Sequence, residues 1–467
     1  MNNILLVNPW ICDFALYDLW IRPFGLLRVA SLLKANGYNI SYIDFLNRHH
    51  PKIKKFAGND DFGCGKFYKR EIQKPEAVKD VARPYSIYGL PEEIIIEEVK
   101  NIPKPDFIFM TSGMTYWYPG LEYTARFLKR NFPDVPITLG GTYATLLPQH
   151  AKSIEGVDYV VAGNDFPEIC FQLSKILKQE VESPKHYIYP EYSLLSDTSS
   201  LVMETSKGCP FNCSYCGSKL LNKHFVQRQS EEVLREIEFY WENYKVKDIA
   251  FYDDALLVNA DKHFIPILDG IAKKKFAINF HTPNGLHVKF IDKQLAEKLK
   301  KANFRTIRLS LETVDSSRQK NTGGKVTTEE LKNAVESLKS AGYSWKEIGV
   351  YLMFGMPHQG EKEVKEGIEF LHSLKVAIFL TSYSLVPGTS DERMLKEEGI
   401  IKDDLDPLWH NNTIFPLIPP TFRYPMISKK SRLGYKRNVA GGTIKGNFSL
   451  EGIKKLRNYV SVINRKI

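Results

Sequence analysis

The feature that most constrains the fold is an alternation of short apolar runs with amphipathic segments, kept up along most of the chain. Ile4–Val7 is followed by Leu26–Asn36, whose Leu26, Leu27, Ala30 and Leu33 keep helical spacing and which Gly37 terminates. Ile40–Ile43, Asp106–Met110, a helix around Leu121–Phe132, Ile137–Leu139 and Tyr159–Val161 continue the pattern. Continuous apolar strands separated by helices predict a parallel sheet covered on both faces. Between Arg48 and Pro91 the alternation breaks into Lys, Gly and aromatic residues, which reads as a long insertion, functional or mobile.

A second, more regular alternation begins near Leu201. Its expected strands are Leu201–Thr205, Asp248–Tyr252, Ala277–His281, Thr306–Glu312, Ile348–Phe354 and Ile378–Ser384. The expected helices between them are Ser230–Tyr244, Asp261–Lys274, Asp292–Ala302, Thr328–Ser340 and Glu361–Leu374. The fourth opens on a capping box, Thr327-Thr328-Glu329-Glu330, and closes on Gly342. Six strands with interleaved helices fit a barrel or partial barrel better than a second open sheet, because polar residues recur at the strand C-termini. The expected class is α/β, with a parallel-sheet domain over 1–180 carrying the insertion 48–91. A partial (β/α)6 barrel over 195–395 and a small extension over 396–467 follow.

Composition excludes disordered, collagen-like and disulfide-scaffold chains: 43% of the 467 residues are hydrophobic and 25% charged. The first residues are apolar over only Ile4–Val7 and lack a basic n-region, so they read as a buried strand rather than a signal peptide. No stretch approaches the roughly 20 apolar residues of a membrane span, and a cytoplasmic protein is expected. Of six cysteines, Cys12, Cys64 and Cys170 are scattered and read as ordinary buried thiols.

The other three fall together, in Lys207-Gly208-Cys209-Pro210-Phe211-Asn212-Cys213-Ser214-Tyr215-Cys216, just after an apolar strand. Three thiolates on one loop can hold three irons of a cubane and leave the fourth open to a substrate or cofactor. Three unrelated buried cysteines, or a zinc knuckle completed from elsewhere, are the alternatives.

At these residues the chain resembles the radical S-adenosylmethionine (radical SAM) superfamily. The resemblance implies a 4Fe–4S cluster on Cys209, Cys213 and Cys216, whose open iron chelates the methionyl amine and carboxylate of SAM. Reduction then cleaves SAM to a 5′-deoxyadenosyl radical. It also implies that the backbone at Tyr215 meets the adenine and that Asp253 and Asp254 receive the methionyl amine. Ser310 and Glu312 stand at the ribose-binding Ser-x-Glu pattern, and Gly355, in Gly355-Met356-Pro357-His358-Gln359, at the turn near adenine. Acidic residues replace the more familiar Gly-Gly-Glu at 253 and 254. Asn279, His281 and Asn284 end the third strand, with His281 a candidate substrate contact.

Upstream, Ser112-Gly113-Met114 and Gly140-Gly141 end successive strands and are similar to elements of cobalamin-binding Rossmann-like domains. In such domains small residues let the backbone approach the cofactor's nucleotide tail. The resemblance, which covers roughly residues 1 to 395, implies cobalamin contacts at Ser112, Gly140, Gly141 and Gly163. The Asp-x-His-x-x-Gly element that ligates cobalt from below is absent. Asp18-Leu19-Trp20-Ile21-Arg22 stands nearest its place, so the lower face of cobalt is expected to meet Trp20 or Arg22. Gly163-Asn164-Asp165-Phe166 replaces the usual Gly-Glu-x-Glu.

The implied architecture is a Rossmann-like sheet domain ahead of a TIM-type partial barrel, with sheet edge and barrel mouth facing one substrate. The implied activity is cobalamin-dependent methyl transfer to an unactivated centre of a small molecule, lipid or peptide. The alternative is a non-methylating rearrangement, cyclisation or oxidation. An electron donor such as flavodoxin or ferredoxin is expected, and a monomer. A tRNA methylthiotransferase would need a second three-cysteine set, which the dispersed Cys12, Cys64 and Cys170 do not form. The net charge of +10 is no argument for nucleic acid either. From Phe422 to Ile467 there are twelve Lys and Arg against a single acidic residue, Glu451, so this segment carries +11 and the remainder −1. That segment reads as a solvated helix or a contact for an acidic partner or surface. Trp409 and His410 read as packing residues near the barrel mouth.

Overall fold

A computed structural model describes residues 2–53, 61–417 and 450–466. The chain divides into two compact units. One comprises Met1–Met203 with Leu220–Lys223 and Arg235–Ala250, and the other comprises Glu204–Lys219, His224–Leu234 and Phe251–Ile467.

In the first unit a five-stranded sheet runs in the order Asn39–Asp44, Asn3–Asn8, Phe107–Met110, Ile137–Leu139, Tyr159–Val160. Every neighbouring pair is parallel. This is the doubly wound order in which the strand after the first crossover lies on one side and the later strands on the other. Ile4 and Leu6 on the strand Asn3–Asn8 are fully buried against Leu26, Ala30 and Leu33 of helix Phe24–Ala35. Leu173 and Leu177 of helix Phe166–Leu177 complete that core.

Within the stretch 48–91 the described residues include paired strands that its composition did not predict. Lys69–Ile72 and Tyr85–Tyr88 pair antiparallel, and Ile11–Asp13 adds to the other edge of Tyr85–Tyr88. Three of its aromatic side chains, Phe67, Tyr85 and Tyr88, are buried as core rather than left as loop surface, and Phe14 from outside the stretch packs edge-on to Tyr85. Helix Glu92–Lys100 then begins directly after Pro91, an element that its short apolar stripe, Ile94, Ile95 and Val99, left unread.

A six-stranded sheet follows in chain order, Ser200–Met203, Asp248–Phe251, Asn279–His281, Phe304–Glu312, Ile348–Phe354 and Ala377–Ser382. The last four strands are parallel. Alternation sets their two faces. Ile307, Leu309 and Leu311 are fully buried on the helix side, and so are Val350, Leu352 and Phe354 on the next strand. Arg308, Ser310, Tyr351 and Met353 therefore share the inner face. The expected helices Ser230–Tyr244 and Thr328–Ser340 stand at those bounds, the second with both halves of its capping box formed. Helix Phe264–Lys274 starts three residues later than expected, because Asp261 and Lys262 form a turn before it.

The basic tail is not simply solvated. Helix Leu450–Lys466 buries Ile453, Leu456, Val460 and Ile463, and Asn464 hydrogen-bonds both the N–H and the carbonyl of Ile378 at 3.0 Å. It thus blunts the outer strand, whose unpaired backbone would otherwise be a template for association. The rest of the predicted basic segment, Phe422 to Ser449, lies outside the described residues. Trp409 and His410 are buried, in line with a packing role.

Candidate active site

The three clustered cysteines sit on an irregular loop closed at its base by a two-residue antiparallel ladder, Ser206–Lys207 with Val226–Gln227. The loop is pinned from two sides by backbone bonds. Ser214 N–H donates to the Thr322 carbonyl, and Asp391 N–H to the Ser214 carbonyl. Gly323, at φ +113°, lets segment 322–324 come this close: a Cβ there would lie 2.7 Å from the Asn212 carbonyl oxygen. None of the three thiols is in a disulfide. Burial first, then the Asp254 carboxylate and a neighbouring thiol, push Cys209 and Cys216 above the ordinary thiol range. Among the described residues no three His, Cys, Asp or Glu side chains converge on a single metal ion. A polynuclear cluster takes one thiolate per iron and needs no such convergence, so the donor set fits a cubane.

Asp253 is spent inside the protein. Its carboxylate accepts the Thr205 N–H at 3.0 Å, the Thr205 hydroxyl at 2.7 Å and the Ser206 hydroxyl at 2.6 Å. Thr205 in turn meets His263 Nε2 at 3.0 Å. Burial raises the Asp253 pKa despite these bonds. Its 4% exposed carboxylate anchors the entry to the cysteine loop. Asp254 holds the other end, accepting the Ser218 hydroxyl at 2.6 Å two residues beyond Cys216.

Ser310 and Glu312 come together through a device invisible in the sequence. Their strand shifts register between them, a bulge that re-aims the following side chain. Glu312 then takes φ +65°, a conformation that a non-glycine residue holds only under external constraint. Both meet Lys325, whose Nζ lies 3.1 Å from Ser310 Oγ and 3.4 Å from Glu312 Oε1. Burial pulls the Lys325 ammonium down, and Glu312, Cys213 and Cys216 more than offset it, so its pKa is raised. Sequence reasoning missed this residue; the only signal was a lone Lys after Gly323-Gly324, soon after a strand.

The Tyr215 ring packs into the apolar cluster of Met356, Tyr383, Leu385 and Leu395, which fixes the backbone that was expected to meet adenine. Gly355, at φ +81°, makes room for Pro416, whose Cγ would lie 2.5 Å from an added Cβ. His281 is completely buried with Nδ1 3.0 Å from the Thr306 hydroxyl, so the substrate contact considered for it is replaced by a structural role. Asn279 bonds Asn303, and Asn284 donates to the Tyr252 and Asp253 carbonyls.

In the first unit, Gly140, Gly141 and Gly163 line one cavity of about 100 Å³ together with Leu26, Val29, Thr111 and Thr138. Gly141 is at φ +96°, and a Cβ on it would lie 2.4 Å from the Ser112 carbonyl oxygen. That glycine-lined cradle fits the small-residue requirement of a nucleotide tail. Ser112 supports it from behind: its hydroxyl donates to the Gly140 carbonyl at 2.7 Å and accepts from Ala144 N–H. In this way Ser112 braces the turn. Trp20 is buried. At φ +57° its indole turns inward, 2% exposed, and donates to the Phe62 carbonyl. Arg22 bonds both oxygens of the buried Asp18 and lines a different cavity of about 170 Å³. Cys12, Cys64 and Cys170 are buried, and burial pushes Cys12 and Cys64 up to about 12.

Residues 203–371 match the radical SAM superfamily and residues 83–165 the B12 binding domain. An uncharacterized methyltransferase of Pyrococcus horikoshii is 26% identical over 327 residues, 62% of this chain and 70% of that protein. The anaerobic magnesium-protoporphyrin IX monomethyl ester cyclase of Rubrivivax gelatinosus is 21% identical over 54% of this chain, which spans about half, 52%, of its length. Among solved structures, the radical SAM methyltransferase TsrM from Kitasatospora setae, with tryptophan and a SAM analogue bound, superposes with a TM-score of 0.62 at 14% identity. That match covers 85% of this chain and 76% of TsrM, and shows a shared fold. No helix among the described residues is long and apolar enough to cross a membrane.

Proposed function

We propose that this chain, which carries a radical SAM domain over residues 203–371 behind a B12 binding domain over residues 83–165, is a cobalamin-dependent radical SAM methyltransferase acting on an unactivated centre. The observation that carries the reading is the presence of both domains in one chain. When bound, the cluster and cobalamin supply the reductive cleavage of SAM and the methyl group.

Cys209, Cys213 and Cys216 would hold the cluster. Asp253, through Thr205 and Ser206, keeps the entry to their loop in place, and Ser218 ties its exit to Asp254. Lys325 holds Ser310 and Glu312 in one geometry and sets a fixed positive charge beside the thiolates, where an anionic carboxylate of SAM gains from it. The backbone at Tyr215, braced by its buried ring, and the turn at Gly355 suit the adenine. Gly140, Gly141 and Gly163 suit the nucleotide tail of cobalamin, with Ser112 behind them. The remaining expectations stand with this reading: an electron donor of the flavodoxin or ferredoxin type, a small-molecule, lipid or peptide substrate, a monomer, and a cytoplasmic location.

The test is anaerobic purification with cobalamin supplied, an optical spectrum, and product analysis from SAM under reducing conditions. Retained corrinoid with both 5′-deoxyadenosine and S-adenosylhomocysteine is expected. Deoxyadenosine alone, with no retained corrinoid, overturns methyl transfer. Cys213→Ala is expected to abolish the cluster absorbance; a variant that still binds iron–sulfur and cleaves SAM refutes the ligand assignment.

A further inference from the structure

On the inner face of the strands that carry Ser310 and Glu312 lies a second group of polar and aromatic side chains. Ser310, Tyr351 and Phe379 are neighbours in register across three adjacent strands, and they form one layer of that face. Ser310 is the member of the layer that meets Lys325, so the layer sits at the level of the reaction site rather than at the floor. Adjacent strands are spaced about 4.8 Å apart, which puts Phe379 roughly 10 Å across the sheet from Ser310.

Phe379 is 39% exposed, unusual for a large apolar residue on the inward face of a covered parallel sheet. The Arg308 guanidinium lies over its ring at 4.5 Å from the centroid. Gly349, the register neighbour of Arg308, makes the pairing possible: a Cβ there would lie 2.6 Å from the Phe379 ring and 2.9 Å from Arg308 Nη1. Tyr351 closes the group, edge-on to Phe379 at 6.1 Å; its hydroxyl donates to the Pro283 carbonyl at 2.7 Å and accepts from the Arg308 guanidinium, whose other N–H groups are the ones offered to an anion. An arginine stacked on an aromatic ring is held in position as a planar donor fork, the geometry that suits a carboxylate or phosphate. The part of the Phe379 ring that Arg308 leaves uncovered offers apolar contact beside it.

We infer that Arg308, Phe379 and Tyr351 form a substrate subsite that selects a molecule carrying a carboxylate or phosphate next to a planar apolar group. The inference rests on the barrel lumen being the reaction chamber and extends that reading to substrate chemistry. The anion pairs with Arg308, and the apolar part lies against Phe379 and the edge of Tyr351, on the side of the layer that leads to Ser310.

The full chain is titrated with 2-naphthoate, 2-naphthyl phosphate and the neutral 2-naphthamide, and binding is read by ligand-observed NMR. At least one anion is expected to bind about tenfold more tightly than the amide, and the stronger of the two identifies the preferred headgroup. Arg308→Gln is expected to erase that preference while leaving amide binding unchanged. Arg308→Lys is expected to keep part of it, and Phe379→Ala to weaken all three probes alike. Equal binding of amide and anions, or an anion preference that survives Arg308→Gln, overturns the inference. Iron content in the same samples shows that each variant retains its fold. Failure to load cofactors with the anion preference intact breaks the methyltransferase reading alone; full loading without the preference breaks only this inference.

Discussion

The two cofactor regions solve the same problem with opposite materials. In the N-terminal sheet the strand ends carry glycines: Gly140, Gly141 and Gly163 open a cavity whose shape is set by backbone, with Ser112 bracing it from behind. In the barrel the strand ends carry charge: Asp253, Asp254, Glu312 and Lys325 surround the cysteine loop, and each carboxylate meets a hydroxyl, an N–H or the lysine. A backbone cradle selects by space and tolerates little volume. A charged ring selects by electrostatics and tolerates no missing partner. The two regions should therefore fail in different ways when altered.

The largest effect is expected from Lys325→Met. Glu312, 8% exposed, then loses the ammonium that meets it, and stripping one partner from a buried pair costs about 3–5 kcal/mol. Denaturation midpoints and the rate of 5′-deoxyadenosine formation should both fall, with Lys325→Arg recovering part of each. Wild-type rates in the methionine variant would mean that the charged ring is not what holds the barrel site. Asp253→Asn comes next. Replacing an acceptor of three donors with an amide puts an NH2 group against them, at about 1–3 kcal/mol, and iron per chain should drop while retained corrinoid does not. Gly141→Ala is the mirror experiment. Its φ of +96° and the 2.4 Å approach to Ser112 make a Cβ strained, again about 1–3 kcal/mol. Corrinoid retention should fall with iron content unchanged; if both fall together, the two regions are not independent.

The smallest effect concerns Asp44, at the end of the outer strand of the N-terminal sheet. Burial raises its pKa to about 6, against the bonds from Asn8 and Leu46. Between about pH 4 and 6 the folded chain holds a proton that the unfolded chain releases. This contribution to stability is present below about pH 4, is lost as pH rises to 6, and is flat above. Asp44→Asn should flatten that slope by on the order of 1 kcal/mol, read as the pH dependence of thermal unfolding. A slope unchanged in the variant would place the titration elsewhere.

Much of the site was legible because its chemistry resides in residue identity. Three cysteines at this spacing after an apolar strand, Ser310 and Glu312 at a strand end, and paired glycines at 140 and 141 announce themselves without coordinates. What stayed hidden depended on which neighbour each group meets. Asp253 and Asp254 are indistinguishable side by side in the chain; Thr205 and Ser206, reached only through the fold, turn the first into an anchor. Lys325 looked like one lysine among many, until a bulged strand and two glycines brought it between Glu312 and the thiolates. Trp20 was named only for its place in the sequence, and nothing there showed that its indole is buried with a left-handed backbone.

The alternation of apolar runs and helices was enough by itself to determine two parallel-sheet domains and the strand ends that carry the chemistry, because periodicity is a local property of the chain. The tertiary structure alone decided which polar groups are consumed in holding the loop. That outcome depends on long-range hydrogen bonds, register shifts and burial, and none of these leaves a periodic trace in the sequence.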